Sequence, residues 1–98
     1  MLDKMKKLFE LQSKIKQIKQ ELATSTIETE AVGGKIKVIM NGEQVIRDIK
    51  INDSLIVSPD KEQFRKDLMG CINEAVKKSQ KMSAEKAKDI TGLDLPNL

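Results

Sequence analysis

The chain of 98 residues contains no histidine, no tryptophan, no tyrosine, one cysteine and two phenylalanines. The lack of histidine removes the most common general base and the most common metal ligand. A single thiol, Cys71, cannot form a disulfide within one chain, which fits a reducing compartment. Because no phosphate-binding loop and no ordered nucleophile and base are present, we expect no enzyme, cofactor, metal site or small-molecule substrate. These absences favour a binding protein of the cytoplasm.

Long apolar runs are also missing from the sequence. No segment approaches the roughly 20 apolar residues that span a bilayer, so no membrane partner is expected. Charged residues make up 34% and apolar residues 39% of the chain, which is typical of one small globular domain over 1–98. With so few aromatic residues, the core must consist of Ile, Leu, Val and Met. Chains of this size are often completed by a partner.

The first part of the chain has the spacing of a helix that packs against another helix. Its apolar residues alternate steps of three and four, the a/d pattern, at Leu8, Leu11, Ile15, Ile18 and Leu22. The spacing predicts a helix over 1–23, ending where Ser and β-branched residues accumulate.

A second, longer helix is predicted over 59–89, followed by a tail over 90–98. Ser58 is the expected N-cap and Pro59 the first helical residue. Cys71 falls on the apolar side of this helix and is expected to be a small core residue.

The segment between the helices predicts a three-stranded antiparallel sheet over 26–51. Gly33-Gly34 permits a sharp reversal, and Asn41-Gly42 supplies residues that tolerate positive φ in a tight hairpin. Alternation predicts one apolar face, with Arg47 as its only charged member. That face consists of Ile36, Val38, Met40, Val45, Ile49 and Ile51, whereas Ile39 and Ile46 fall on the polar face.

The predicted helices are longer than the predicted sheet. They span roughly 33 and 46 Å, whereas strands of six or seven residues reach about 20 Å. An overhanging apolar seam has to be covered either by the other helix or by a second copy of the chain. We favour a homodimer in which the sheets form a hub and the helices project as arms. A compact monomer with both helices across one sheet face is the alternative.

Several short motifs occur in a set order along almost the whole chain. They are Gly33-Gly34, a strand ending in Asn41-Gly42, a strand running into "INDSL", "INEA" over 72–75, and a "GLDLP" tail. In this order they resemble the YbaB/EbfC family of bacterial nucleoid-associated proteins. The resemblance implies an α+β fold, a small cytoplasmic dimer with a three-stranded sheet between long helices, and non-enzymatic DNA binding at the nucleoid. The chain departs from many relatives in lacking a Gly/Met-rich leader and in having a more lysine-rich first helix.

Positive charge is concentrated on the predicted helices. Residues 1–22 carry six lysines against three acids and residues 60–89 carry eight basic against six acidic residues, in a chain of net charge +3. Sixteen of the eighteen basic residues are lysines, which suit phosphates better than base edges. We therefore predict duplex-DNA binding through the backbone with little sequence preference. The candidate contacts are Lys6, Lys7, Lys14, Lys16, Lys77, Lys78 and Lys81.

Two other functions fit the same pattern of helix, hairpin and helix. One is a prefoldin-like holdase, which would suppress aggregation of an unfolded client without binding DNA. The other is a coiled-coil adaptor, which would capture one stoichiometric protein partner through the seam of the first helix. Under the favoured interpretation, binding would affect DNA compaction or gene expression.

Overall fold

The computed structural model describes residues 2–57 and 60–92, which form two long helices, one short helix and three strands. The elements are α1 (Leu2–Thr24), β1 (Ile27–Ala31), β2 (Ile36–Met40), β3 (Ile46–Ile51), α2 (Asp53–Ile56) and α3 (Lys61–Thr91). The predicted α+β class, with a three-stranded antiparallel sheet between two long helices, is confirmed.

The link between β3 and α3 contains α2, a single turn that the sequence pattern did not predict. Asn52 caps α2, its side chain accepting a hydrogen bond of 3.0 Å from the amide two residues on. The predicted N-cap Ser58 and the following Pro59 lie outside the described residues. In the described chain α3 begins at Lys61, and the carboxylate of Asp60 caps it by accepting from the amide three residues on at 3.0 Å.

The C-terminal end of α3 lies beyond the predicted boundary at residue 89. The helix continues through Ile90 and ends at Gly92, whose φ is 72°. The Gly92 amide donates to the Lys88 carbonyl at 2.8 Å, which closes the last turn with a left-handed cap. Of the predicted tail, residues 93–98 lie outside the described part of the chain.

The sheet has the strand order β1-β2-β3, with antiparallel pairing throughout. Ile39 pairs with Asp48, but the next residue of β2, Met40, pairs with Ile46. Arg47 is therefore an extra residue on β3 and forms a β-bulge. The residues before Arg47 consequently face the side of the sheet opposite to the one that strict alternation predicts.

The bulge makes part of the predicted alternation in β3 wrong. Val45, which was expected in the core, is exposed. Arg47 does not lie among the core residues; its guanidinium donates a hydrogen bond of 3.1 Å to the Ala23 carbonyl at the end of α1. The sequence could not show this because alternation assumes an unbroken ladder.

The reversal between β2 and β3 is also longer than predicted. The side-chain oxygen of Asn41 accepts from the amides of Glu43 and Val45 at 2.8 and 3.1 Å, so the side chain organises the loop. The residue with positive φ is Gln44, at 61°. The prediction of positive φ at Asn41 and Gly42 is therefore wrong.

Gly42 has a different role, which is to let α1 approach the turn. Its amide donates to the Leu22 carbonyl at 2.9 Å. A Cβ placed on Gly42 would lie 2.6 Å from Cδ2 and 3.1 Å from Cα of Leu22. Glycine is thus required by the close contact, since its backbone angles are accessible to other residues.

The main core lies between one sheet face and the first half of α3. Phe64 and Leu68 pack at its edge. The hydroxyl of Thr29 on β1 donates to the Cys71 carbonyl at 2.9 Å, joining strand to helix. Cys71 is buried, as predicted. The fully buried members are Ile36, Val38, Met40, Cys71 and Ala75.

A second, smaller core joins α1 to the second half of α3. Ile18 and Leu22 are buried against Ala87, and Met82 and Ile90 flank them. Since residues late in α1 meet residues late in α3, the two helices run antiparallel. In the described chain α3 covers the sheet and α1 does not, so the compact arrangement with both helices across one sheet face is not adopted.

Small side chains allow α3 to contact both the sheet and α1. Ser79, near the middle of the helix, is fully buried, and its hydroxyl donates to the Asn41 carbonyl at 2.8 Å. The same oxygen accepts from the side-chain and backbone amides of Gln44 at 2.9 and 3.1 Å. This stripe of buried residues recurs at every fourth position: Cys71, Ala75, Ser79, Ser83 and Ala87.

The N-terminal half of α1 extends past the end of α3. The molecule is accordingly elongated, with extents of 67 × 20 × 16 Å. Ile18 and Leu22 of the predicted seam are buried, whereas Leu8, Leu11 and Ile15 are 42 to 60% exposed. The predicted overhang is therefore present, and its apolar seam is open to solvent in the single chain.

Candidate nucleic-acid interface

The predicted lysines of α3 are exposed, and Lys78 and Lys81 lie on the side of the helix toward β1. Lys77 and Lys78 directly precede the buried Ser79. Within the described residues, Lys77 has no ion pair, whereas the Nζ of Lys78 lies 3.4 Å from Oε1 of Glu74. The structure thus brings these lysines together, but the ion pair reduces the net positive charge that they present.

Lys78 and Lys81 border a shallow groove between α3 and β1. Its other lining residues are Ile27, Glu28, Met82 and Glu85. Two carboxylates beside two lysines give this groove a mixed charge. Counting lysines along the sequence could not reveal Glu28, because it comes from a strand about 50 residues earlier.

Of the predicted lysines of α1, Lys6, Lys7 and Lys14 lie on the part of the helix that extends past α3, and Lys16 lies level with the last turn of α3. Lys6, Lys7, Lys14 and Lys16 are all exposed, and across residues 2–57 and 60–92 none of them has an ion pair. Each ammonium group can therefore reach a phosphate without first breaking a contact.

The seven candidates form two groups along the molecule rather than one patch. The contact between Glu21 and Lys86, at 3.4 Å, fixes the alignment of the antiparallel helices. Counting 1.5 Å per residue from that pair, Lys7 and Lys77 lie about 35 Å apart along the helix axes, whereas Lys16 and Lys81 lie only about 15 Å apart. The larger separation is comparable to one turn of B-DNA, about 34 Å.

Two further lysines lie between the groups, and sequence reasoning missed them. Lys19 on α1 and Lys88 on α3 are both exposed and lie at about the same level of the antiparallel pair. They extend the positive surface across the junction of the two helices. Only the helix pairing identifies them, since they are 69 positions apart in the sequence.

Each of the two arginines already contacts another group in the described structure. The Arg47 guanidinium donates to the Ala23 carbonyl, and Arg65 lies 3.1 Å from the Glu62 carboxylate. Bidentate recognition of guanine needs the planar fork of arginine. The available cations are therefore lysines, which bind phosphates as point charges.

Among residues 2–57 and 60–92, no three His, Cys, Asp or Glu side chains are grouped so as to hold a metal ion. No helix in the same part of the chain combines the length and the apolar character that crossing a membrane requires.

Comparisons with known proteins agree with this architecture. The pattern of the YbaB/EbfC DNA-binding family matches residues 1–94. A nucleoid-associated protein of Bartonella bacilliformis is 38% identical over 94 residues, covering 94% of this chain and 86% of that protein. One from Syntrophobacter fumaroxidans is 33% identical over 89 residues, with coverages of 90% and 81%.

A solved structure of another bacterial protein has a similar fold. The crystal structure of an uncharacterized protein from Helicobacter pylori is similar with a TM-score of 0.71 and 28% sequence identity. The similarity covers 93% of this chain and 89% of the Helicobacter chain. The order of elements, the family pattern and the similar bacterial proteins together confirm the resemblance inferred from the motifs, and this chain belongs to the YbaB/EbfC DNA-binding family.

Proposed function

We propose that this protein is a non-enzymatic, nucleoid-associated protein of the bacterial cytoplasm that binds duplex DNA as a homodimer. It contacts mainly the phosphate backbone, has little sequence preference, and affects DNA compaction or gene expression. The observation that carries the proposal is the row of exposed lysines, all but Lys78 without an ion pair among the described residues, along an elongated pair of helices in a member of a DNA-binding family.

Electrostatics support a backbone-directed mode of binding. Lysines that neutralise phosphates release counterions, so affinity falls steeply with salt but depends little on base sequence. Both arginines are occupied by contacts within the chain. Of the two phenylalanines only Phe9 is exposed, which is too little aromatic surface to stack a series of unpaired bases.

Exposed apolar residues near the sheet support the homodimer. Val45 and Ile46 at the start of β3 are exposed, and so are Ile56 and Val57 in and after α2. β3 is an edge strand, so its outer backbone groups can also accept a neighbour. A second copy over this region would form the proposed hub and leave the lysine-bearing helices as arms.

The experiment that tests the site replaces Lys77, Lys78 and Lys81 together by Gln. Affinity for a duplex of arbitrary sequence should fall, and the slope of log affinity against log salt should shrink by up to about 2.7, or 0.9 per phosphate contact. Because Lys78 already pairs with Glu74, a loss closer to two contacts is expected. Fluorescence anisotropy of a labelled duplex over a salt series measures both quantities.

A matched control removes the same charge from the sheet region. Lys35, Lys37 and Lys50 are three lysines of which one, Lys37, is ion-paired, at 3.5 Å from Glu30. Their replacement by Gln should leave the salt slope nearly unchanged. An equal loss in both variants would show that net charge, not this site, controls binding. Absence of binding by the unaltered protein at about 50 mM salt would end the proposal, since electrostatic binding is strongest there.

A further inference from the structure

The overhanging end of α1 carries an apolar surface that DNA binding does not use. Leu2, Met5, Leu8 and Phe9, here called the tip surface, are 55 to 84% exposed. Their spacings of three and one place them within an arc of about 120° on one side of the helix. Leu2, Met5 and Phe9 also line a shallow apolar groove together with Lys6, Glu10 and Ser13.

Charged residues border this surface in a regular way. At about 100° per residue, Lys4 and Lys6 lie roughly 40° outside its two edges. Asp3 and Lys7 lie on the far side, whereas Glu10 lies next to Lys6 at the border of the groove. Residues 2–16 contain five lysines and two acids. Gln12 and Lys16 fall at the same angles as the tip surface, so its apolar arc is confined to residues 2–9. The end of α1 is therefore a cationic amphipathic helix with lysines beside its apolar side, where long stems can lie along apolar surface while their ammonium groups stay in water.

α3, a DNA duplex, a partner helix and a second copy of the chain are the other candidates for covering the tip surface. None of them matches its shape and charge. α3 covers Ile18 and Leu22 and then ends at Gly92. A duplex attracts the lysines, but its phosphates leave apolar side chains in water. A helical partner would bury the narrow seam of Leu8 and Leu11 and leave the Phe9 side uncovered. Two tips of one protein repel each other, because each carries an excess of three positive charges.

We propose that the tip surface binds to an anionic lipid surface, with α1 lying flat in the headgroup region. A helix that binds at such an interface has a broad apolar arc, lysines beside that arc and a net positive charge. The sequence predicted no membrane partner because no segment can span a bilayer, and a helix lying in the interface does not need to span it. This inference does not depend on DNA binding.

The absence of tryptophan makes the test direct. Phe9→Trp introduces a single reporter into the tip surface without altering either core. With vesicles of phosphatidylglycerol and phosphatidylcholine at about 0.15 M salt, its emission should shift to the blue, and pure phosphatidylcholine should give little shift. Gln17→Trp, on the polar side of the same helix, should show no comparable shift. Absence of a shift for Phe9→Trp, or an equal shift with both vesicle types, would overturn the proposal.

A second variant separates lipid binding from folding and DNA binding. Met5, Leu8 and Phe9 are exposed, so their joint replacement by Gln should leave the circular dichroism and the melting temperature unchanged. Co-sedimentation with anionic vesicles should fall by about tenfold or more, while duplex affinity and its salt slope persist. The Gln variant of Lys77, Lys78 and Lys81 should bind anionic vesicles as the unaltered protein does, but bind duplex DNA more weakly.

The Gln variant of Met5, Leu8 and Phe9 also tests whether a second copy of the chain or another protein covers the tip surface. If it dissociates the protein in sedimentation velocity while the unaltered protein ignores vesicles, the tip surface contacts a second copy and the proposal is wrong. If the unaltered protein ignores vesicles but binds an acidic amphipathic peptide through Leu8 and Leu11, the surface serves a protein helix, and the proposal is equally wrong.

Discussion

Replacing Gly42 by Ala tests whether the close contact between α1 and the β2–β3 turn holds the arm in place. The new Cβ would lie 2.6 Å from Cδ2 of Leu22, closer than carbon atoms pack. A rotation of the Leu22 side chain cannot relieve the overlap, because its Cα and Cβ are both 3.1 Å away. The end of α1 would have to move away from the turn, stretching the hydrogen bond between Gly42 and Leu22.

The size of the effect follows from two opposing terms. An extra methyl group in a tightly packed site costs about 1–3 kcal/mol of folding free energy. Loss of glycine from the unfolded chain offsets about 0.4–1 kcal/mol, since φ at Gly42 is not in the left-handed region. We expect a net destabilisation of about 1–2 kcal/mol, which for a chain of this size lowers the melting temperature by about 5–15 °C.

Urea unfolding followed by far-ultraviolet circular dichroism, at a fixed protein concentration, measures the change. Gly70→Ala is the matched control: Gly70 lies inside α3, and its added Cβ meets nothing within 4 Å. This variant should be more stable by about 0.8–1 kcal/mol, because alanine is the better helix former. Equal stability of Gly42→Ala and the unaltered chain would refute the reasoning, and so would destabilisation of Gly70→Ala.

Two other substitutions probe the turn regions. Ser79→Ala should lower the free energy of unfolding by about 1–3 kcal/mol, because the Asn41 carbonyl and both Gln44 groups lose the hydroxyl that they bond; a loss below 0.5 kcal/mol in urea unfolding would contradict this. Val32→Asn should raise the melting temperature and stabilise the fold by about 1 kcal/mol, since Val32 is a β-branched residue held at a φ of 54°. Calorimetry measures the second change, and a lower melting temperature would show that the Val32 side chain contributes more than its backbone strain costs.

The long helices and the sheet could be predicted because periodicity extends over many residues there. The a/d spacing of Ile18 and Leu22 identified a face that does pack against a helix. The β-bulge at Arg47 and the loop around Asn41 could not be predicted, since each depends on contacts with α1 or α3 that form only in the folded chain. Local alternation contains no information about either contact.

The candidate site was predictable in composition but not in arrangement. Exposure of the chosen lysines follows from their helical positions, and all seven are exposed. The pairing of Lys78 with Glu74 and the presence of Glu28 beside Lys81 depend on rotamers and on strand placement. The contribution of Lys19 and Lys88 depends on the antiparallel alignment of α1 and α3, which fixes distances that the sequence leaves open.

The number of residues along the stripe of small residues on α3 determines the direction of α1 around the α3 axis. Successive positions four apart advance by about 40° around a helix, so from Cys71 to Ala87 the buried side turns through about 160°. The first part of the stripe meets the sheet and the last part meets α1. Insertion of one residue between them would swing α1 by about 100° around the α3 axis, with every individual contact surface still present. The length of this segment therefore sets the azimuth of the arm, and an insertion preserves that azimuth only when it adds whole numbers of turns.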